Sequence, residues 1–408
     1  MTVRILQGDV REALAVLPEA SVHCVVTSPP YYGLRDYGVD GQIGLEETPD
    51  AYVAELVQVF REVWRVLHPS GVVWLNLGDS YATRWSSVRS EGRAGLGQQE
   101  RARTGAPPAG YKNKDLLGIP WRVAFALQAD GWWLRRDVIW DKPACMPESV
   151  KDRPTTSHEY LFLLTKGEDY HYDWLAIAEP VAASSVERLS QDVANQVGTQ
   201  RANGGTRAAR PLRARGGAGG TVRNARSVWH IPTQPFKEAH FATMPPELAE
   251  RGILAGTSPV GCCPHCLAPW EREAERLEEA ELDVLRAAGA DENGEYHGTS
   301  TKNHAAAGVQ DASKVKASVL KSMRPLETVA WHMTCDCPIA RPTPCTVLDP
   351  FGGAGTTGLV ADRLQRHAVL VELNPKYADM ARDRINAEDP LRSPARVEVA
   401  TQQPSEAA

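Results

Sequence analysis

The sequence has no apolar run near the roughly 18 residues needed to cross a bilayer, and its opening MTVRILQGDVREAL has no signal-peptide architecture. A cytoplasmic protein with no membrane partner is expected. There is no excess of basic charge either: 45 Lys+Arg stand against 51 Asp+Glu, a net charge of −6, which argues against a uniformly basic nucleic-acid coat. Eight cysteines in 408 residues, unevenly spread and two of them adjacent, do not suit a disulfide framework and suggest a local metal site. The GxxxxGK[ST] lysine of phosphate-cradling NTPases is missing as well. What is present is an ordinary globular composition, 42% hydrophobic and 24% charged, in a chain long enough for two or three domains.

Short β-branched runs alternate with helical spacing at the start. RILQGD (4–9) and VHCVVTS (22–28) read as strands, VREALAVLPEA between them as a helix, 50–67 as a longer helix ended by PSG, and GVVWLNL (71–77) as a third strand. This alternation implies a parallel sheet flanked by helices. WWLRRDVIW (132–140) and HEYLFLLTK (158–166) are expected to pair antiparallel at the sheet edge. Two segments break the regularity. Residues 84–114 hold seven basic residues against two acids, and 181–228 hold eight arginines against two acids, so the overall charge conceals basic stretches. The first reads as a mobile basic loop, the second as a solvated linker or a nucleic-acid arm that orders on phosphate. WEREAERLEEAELDVLRAAGA (270–290) reads as an acidic amphipathic helix, and the chain beyond about 388 as frayed.

VLDPFGGAGTTG (347–358) places an acid and a glycine-rich turn between an apolar strand and a helix. Gly353 and Gly355 would let the backbone approach a ligand, and a second strand ends about 20 residues on in Glu372, where a carboxylate can accept from ribose hydroxyls. This is the pattern of a nucleotide or nucleoside site. VVTSPPYYGLRDYG (25–38) is the second anchor: a strand running into Ser28-Pro29-Pro30-Tyr31 stops abruptly, because proline cannot donate to the ladder and fixes φ. Ser28 and Tyr31 are then held just past the strand's carboxyl end, where α/β sheets bind ligands, unless the pair of prolines is simply a rigid turn.

Together the two motifs resemble the amino-methylating DNA methyltransferases, whose cofactor motif D-P-F-x-G-x-G-T is matched by Asp349, Pro350, Phe351, Gly353, Gly355 and Thr356, and whose catalytic motif is matched by Ser28-Pro-Pro-Tyr. The catalytic motif comes first, an order that resembles the permuted β class. The resemblance implies an α/β, Rossmann-like S-adenosylmethionine-dependent methyltransferase fold, circularly permuted, with a mostly parallel sheet, an antiparallel edge strand and a cysteine-clasped insertion. It implies that Phe351 and the glycines line the cofactor pocket, that Asp349 lies near the methionine moiety, and that Glu372 binds the ribose. Asp9 resembles the acid that contacts the adenine, with a helix cap as the alternative. HFATMPPEL (240–248), with His240 and Phe241, resembles the segment that closes over the methionine end.

In the same picture Ser28 and the Pro29 carbonyl accept the two N–H groups of an exocyclic amine, while Tyr31 stacks on a base flipped out of double-stranded DNA. Serine in the first position is typical of cytosine-N4 enzymes. Adenine-N6 methylation is the alternative reaction, and a DNA-binding module with a vestigial cofactor fold is the alternative class. Carbon-5 methylation would need a thiolate, and Cys345 lies four residues before Asp349, at the wrong end of its strand. The resemblance is compatible with a homodimer and with a companion restriction endonuclease.

Cys263-x₂-Cys266 and Cys335-x-Cys337 supply four thiols in two knuckles, the usual ligand set for structural zinc, with Cys262, His265, His332 and Cys345 as neighbouring alternatives. The chain divides accordingly into a catalytic half (1–180), a basic target-recognition segment (181–228), a cofactor-closing segment (229–261), a zinc-clasped insertion (262–340), a cofactor-binding half (341–388) and a flexible tail (389–408).

Overall fold

The computed structural model describes residues 1–82, 89–90, 107, 110–145, 147–180, 222–234, 243–276, 326–338, 341–388 and 394–400. Most of the basic loop 84–114, most of the segment 181–228, and His240 and Phe241 lie outside the described residues. The described chain separates into one unit of 1–173, 227–271 and 333–408, and a second of 174–226 and 272–332.

The first unit is built on a nine-stranded sheet. Its strands are β1 (Val3–Gln7), β2 (Val22–Thr27), β3 (Leu67–Leu77), β4 (Trp133–Asp141), β5 (His158–Thr165), β6 (Val228–His230), β7 (Thr346–Asp349), β8 (His367–Glu372) and β9 (Arg396–Val399). Across the sheet the order is β6-β4-β5-β3-β2-β7-β8-β1-β9. Every neighbouring pair is parallel except the two that involve β5. The expected antiparallel pair is therefore present, and the three-residue β6 adds one more parallel strand outside it. β2 and β7, which carry the two motifs, are sheet neighbours despite the chain length between them, with Cys24 opposite Val347 and Val25 opposite Leu348. The result is an α/β, permuted Rossmann-like fold in which the first strand pairs with one of the last.

Helix α2 (Pro49–Val66) shows why the sequence folds this way locally. Thr48 caps it by accepting from Ala51 N at 3.1 Å, and Pro49 occupies a first-turn position where no donor is needed. Tyr52, Leu56, Val59, Phe60 and Val63 line one fully buried face. Each contributes about 1.5–3 kcal/mol of apolar burial. The helix then passes straight into β3 at Leu67, so the PSG triplet lies within the strand and coincides with a register shift against β2. On the opposite face of the sheet, α4 (Pro246–Gly256) sits so close that a Cβ on Gly256 would fall 2.6 Å from Val72 Cγ2 and 2.7 Å from Cys24 Sγ. Only glycine allows that contact.

Two expectations are corrected. Residues Glu271–Arg276 form a strand that pairs with Leu326–His332 in the second unit, whereas the sequence predicts a helix from 270. Arg272 stacks over the Trp331 ring at 4.5 Å and also bonds Thr328, and Glu273 pairs with His332, so cross-strand partners override a helical charge pattern. The rest of the expected helix lies outside the described residues. The second correction concerns the tail, where β9 pairs in parallel with β1. The Arg4–Glu398 ion pair (2.8 Å) and the bond from Ala400 N to Gln7 O (2.9 Å) fix this strand in place.

Candidate active site

The carboxyl ends of the parallel strands and the amino end of β5 meet along one edge of the sheet and wall a cavity of about 300 Å³. Asp9, Ser28, Pro29, Pro30, Tyr31, Asp349, Phe351, Gly353, Thr356 and Glu372 all line it. Gly355 stands just behind the wall, as the left-handed cap of α5 (Thr356–Arg363), at φ 75°.

Asp349 ties the two motifs together. Its carboxylate accepts from Thr27 Oγ1 (2.6 Å) at the end of β2, from Thr357 Oγ1 (2.8 Å) in the first turn of α5, and from Phe351 N (3.1 Å). Burial pushes its carboxyl up to about 6, and these three donors work against the shift. Glu372 is held by backbone donors, Gly353 N to one oxygen and Asn374 N to the other, each at 2.8 Å. Burial raises its carboxyl to about 7. Gly353, at φ 48°, has no atom nearer than 3.9 Å to where a Cβ would stand, so the floor beside Glu372 is open. Asp9 does cap α1 (Val10–Ala15), accepting from Arg11 N at 2.9 Å, and also pairs with the Arg11 guanidinium at 2.6 Å. The cap and the cavity position therefore coexist in one residue.

The tetrapeptide opens a hydrogen-bond chain that its spelling does not reveal. Ser28 Oγ donates to Tyr31 Oη (3.2 Å), and Tyr31 Oη donates to Glu159 Oε2 (2.6 Å), with Asn76 Oδ1 3.1 Å from the same hydroxyl. The other Glu159 oxygen pairs with Lys142, whose ammonium lies 4.4 Å above the Trp140 ring. Burial, with the Glu159 charge alongside, pushes the Tyr31 hydroxyl well above its ordinary value and keeps it a neutral donor. The Tyr31 ring packs on Gly78, where a Cβ would fall 2.7 Å from Cε2. Asn76, Trp140, Lys142 and Glu159 all line the cavity. In the sequence Asn76, Trp140 and Glu159 stand out only as members of the expected strands 71–77, 132–140 and 158–166, and Lys142 follows one of them by two residues.

At the other end of the strands, the sulfurs of Cys263, Cys266, Cys335 and Cys337 lie within 4.8 Å of one another. Backbone N–H groups of Cys266 and His265 aimed at Cys263 Sγ pull that thiol down to about 6. Cys337 is pushed up to about 12, first by its contact with Cys266. Four thiolates this close would repel one another unless a cation stood between them. Of the alternatives, Cys262 and Cys345 are buried together beside His23, and His332 pairs with Glu273 in the second unit. His23 uses both ring nitrogens on backbone, Nε2 with Leu267 O at 2.8 Å and Nδ1 with Thr346 N at 3.0 Å. It thereby stitches the first knuckle to the starts of β2 and β7.

The strand order and the cavity at the carboxyl ends are those of an α/β, Rossmann-like fold. Residues 22–263 and 345–383 match the N6/N4 family of DNA methylases. The chain is 35% identical to the type II methyltransferase M.SmaI of Serratia marcescens over 384 residues, covering 94% of this chain and 90% of that protein. It is 36% identical to the type II methyltransferase M.Cfr9I of Citrobacter freundii over 385 residues, with 94% and 88% covered. Among solved structures, the cytosine-N4-specific PvuII DNA methyltransferase aligns at 16% identity with a TM-score of 0.49, over 96% of this chain and 89% of that one. The chain belongs to the N6/N4 family of DNA methylases.

Proposed function

We propose that the protein is a type II DNA methyltransferase that moves a methyl group from S-adenosylmethionine to the exocyclic N4 of a cytosine flipped out of double-stranded DNA. The observation that carries this reading is the chain from Ser28 through Tyr31 to Glu159: a carboxylate only accepts, so the Tyr31 proton goes to Glu159, Tyr31 Oη takes the Ser28 proton, and the Oγ lone pairs are left to accept.

The residues present fit the cofactor. Glu372, held from behind by two backbone donors, keeps lone pairs for ribose hydroxyls, and Gly353 leaves the floor beside it clear. Bound there, S-adenosylmethionine supplies an electrophilic methyl group. An exocyclic amine is a poor nucleophile because its lone pair is delocalised into the ring. Ser28 Oγ and the Pro29 carbonyl accept its two N–H groups and localise that pair. Glu159 at the end of the Tyr31 chain keeps Ser28 an acceptor. Orientation and fixed dipoles then supply the acceleration. A serine rather than an acid at position 28 favours cytosine over adenine as the target, and no cysteine is among the residues lining the cavity, in keeping with amine rather than carbon methylation.

The four-cysteine cluster fits structural zinc, with Cys263, Cys266, Cys335 and Cys337 as ligands. Its place at the amino ends of β2 and β7, away from Ser28, suits a clasp at the base of the 272–332 segment. The basic stretches 84–114 and 181–228 supply DNA affinity.

The test is to incubate the purified protein with S-adenosylmethionine and mixed-sequence duplex DNA, digest to nucleosides, and identify the product by mass spectrometry. N4-methylcytosine is expected. N6-methyladenine would retain the mechanism and overturn the base assignment, and no methylated nucleoside would overturn the reaction.

A further inference from the structure

The walls around Ser28 are rich in acceptors: Ser28 Oγ, the Pro29 carbonyl, Asn76 Oδ1 and the Glu159 carboxylate. A cytosine whose amine donates to such groups also presents N3 and the carbonyl O2 on the same edge, and both need donors once the base leaves water. An adenine carries no carbonyl. Two cationic side chains line the cavity among the described residues, Arg35 and Lys142, and it is the ammonium of Lys142 that is joined to Ser28 through Glu159 and Tyr31.

Its placement is fixed from three directions. The backbone N–H of Lys142 bonds Ser157 O at 2.8 Å, continuing the β4–β5 pairing past the strand end. Trp140 lies directly opposite Glu159 across that pair, so Lys142, two residues on, shares a face with both. Trp140 is buried and anchored by its own indole N–H to Ile231 O at 2.8 Å, and it presents its ring to the ammonium. Glu159 takes one of the three ammonium protons. The same carboxylate receives Tyr31, so the acceptor end at Ser28 and the donor end at Lys142 are joined through one rigid link.

We infer that Lys142 is a specificity-determining residue that donates to the O2 carbonyl of the flipped cytosine. The inference rests on the proposed cytosine-N4 reading and adds to it the donor that distinguishes a pyrimidine carrying a carbonyl from a purine that lacks one. Glu159 acts through the other two groups: it positions the ammonium while drawing the Tyr31 proton, so one carboxylate sets both ends of the base.

The experiment uses the full-length protein and a duplex containing the site at which its methylation has been mapped, with the target nucleotide either cytosine or 2-thiocytosine, whose sulfur is a weak acceptor. Wild-type kcat/KM is expected to fall roughly 10- to 100-fold on the thio substrate. Lys142→Met is expected to lose a similar factor on ordinary cytosine and little more on the analogue, with S-adenosylmethionine affinity close to wild type and a lowered melting temperature, because Glu159 is left without its cation. If Lys142→Met does not fold, the double variant Lys142→Met/Glu159→Gln, which removes the pair together, takes its place. Equal wild-type rates on the two substrates, or a variant that keeps the full wild-type preference for cytosine over the analogue, would overturn the inference while N4-methylation stands. Absence of N4-methylcytosine from the wild-type reaction on the unmodified duplex would overturn the proposed function itself.

Discussion

Thr27 and Asp349 are 322 positions apart in the chain, and their side chains are joined by a 2.6 Å hydrogen bond where β2 and β7 lie side by side in the sheet. Replacing Asp349 by alanine removes the acceptor of Thr27 Oγ1 and Phe351 N and leaves Thr357 Oγ1 only Val26 O, at 3.1 Å. We expect a loss of roughly 3 kcal/mol or more in urea unfolding, with S-adenosylmethionine binding abolished. Asp349→Asn keeps the shape and one acceptor and should fall between wild type and alanine.

Glu372 gives a pH dependence of definite sign. Its carboxyl is raised by burial to about 7 in the folded chain from an ordinary value near 4.5, so the folded state holds the proton more tightly. The contribution to stability is full below about pH 4.5 and is lost as pH rises through 7, by on the order of 3 kcal/mol. Unfolding free energies at pH 5 and pH 8 should differ more for wild type than for Glu372→Gln. The ionised carboxylate is the form that accepts ribose hydroxyls, so S-adenosylmethionine affinity should rise between pH 6 and pH 8 and be flat in the variant.

Ser28→Ala removes the acceptor proposed for the amine and leaves Glu372 and Gly353, proposed to hold the cofactor, untouched. A drop in kcat of about 100-fold with unchanged cofactor affinity is expected, measured by methyl transfer and by calorimetric titration. Tyr31→Phe keeps the ring and withdraws the partner of the Ser28 proton. Its kcat should lie above that of Ser28→Ala and below wild type.

Gly355→Ala would force a side chain onto φ 75° and set its Cβ 2.8 Å from Ala381 Cβ in α6 (Pro375–Glu388). Strain and overpacking together should cost about 2–4 kcal/mol and shift the glycine-rich turn, so melting temperature and cofactor affinity fall together.

Elemental analysis of cysteine-intact, chelator-treated protein should find about one zinc per chain. Cys335→Ser should release it and lower the melting temperature. Deleting 185–226 should weaken DNA binding and flatten its dependence on salt, read by titration across a salt series.

The parts of the site that could be read in the sequence are those written contiguously. Asp349 to Thr356 announces itself because a strand, a turn and a helix start follow one another within a dozen or so residues, and Ser28-Pro-Pro-Tyr because two prolines end an apolar strand. Glu159 and Lys142 could not be read that way. What brings them to Tyr31 is the register of an antiparallel pair, Trp140 opposite Glu159, and a register is a property of two segments. The strand at Glu271–Arg276 was missed for the same reason, since its partner begins at Leu326. β9 was missed because RVEV is short and lies in a polar tail, and its place is set by the exposed edge of β1 and by Glu398 reaching Arg4. The cysteine knuckles were legible as ligands, but the stitch through His23 was not: a histidine inside an apolar strand says nothing of the carbonyl it meets 244 residues later.

The position of β1 between β8 and β9 has a consequence for how the chain comes into being. Strand β1 has no neighbour in this sheet to bond with until residues 367–399 have been made. Helices α1 and α2 can collapse around β2 and β3 early, but the strand that leads into Asp9 must wait for residues 367–399, its edges unpaired. Closure of the sheet, and with it the cofactor cavity, is a late and long-range event, of the kind that folds slowly and exposes the nascent chain to mispairing. A cell making this protein would therefore hold no methylating activity in unfinished chains.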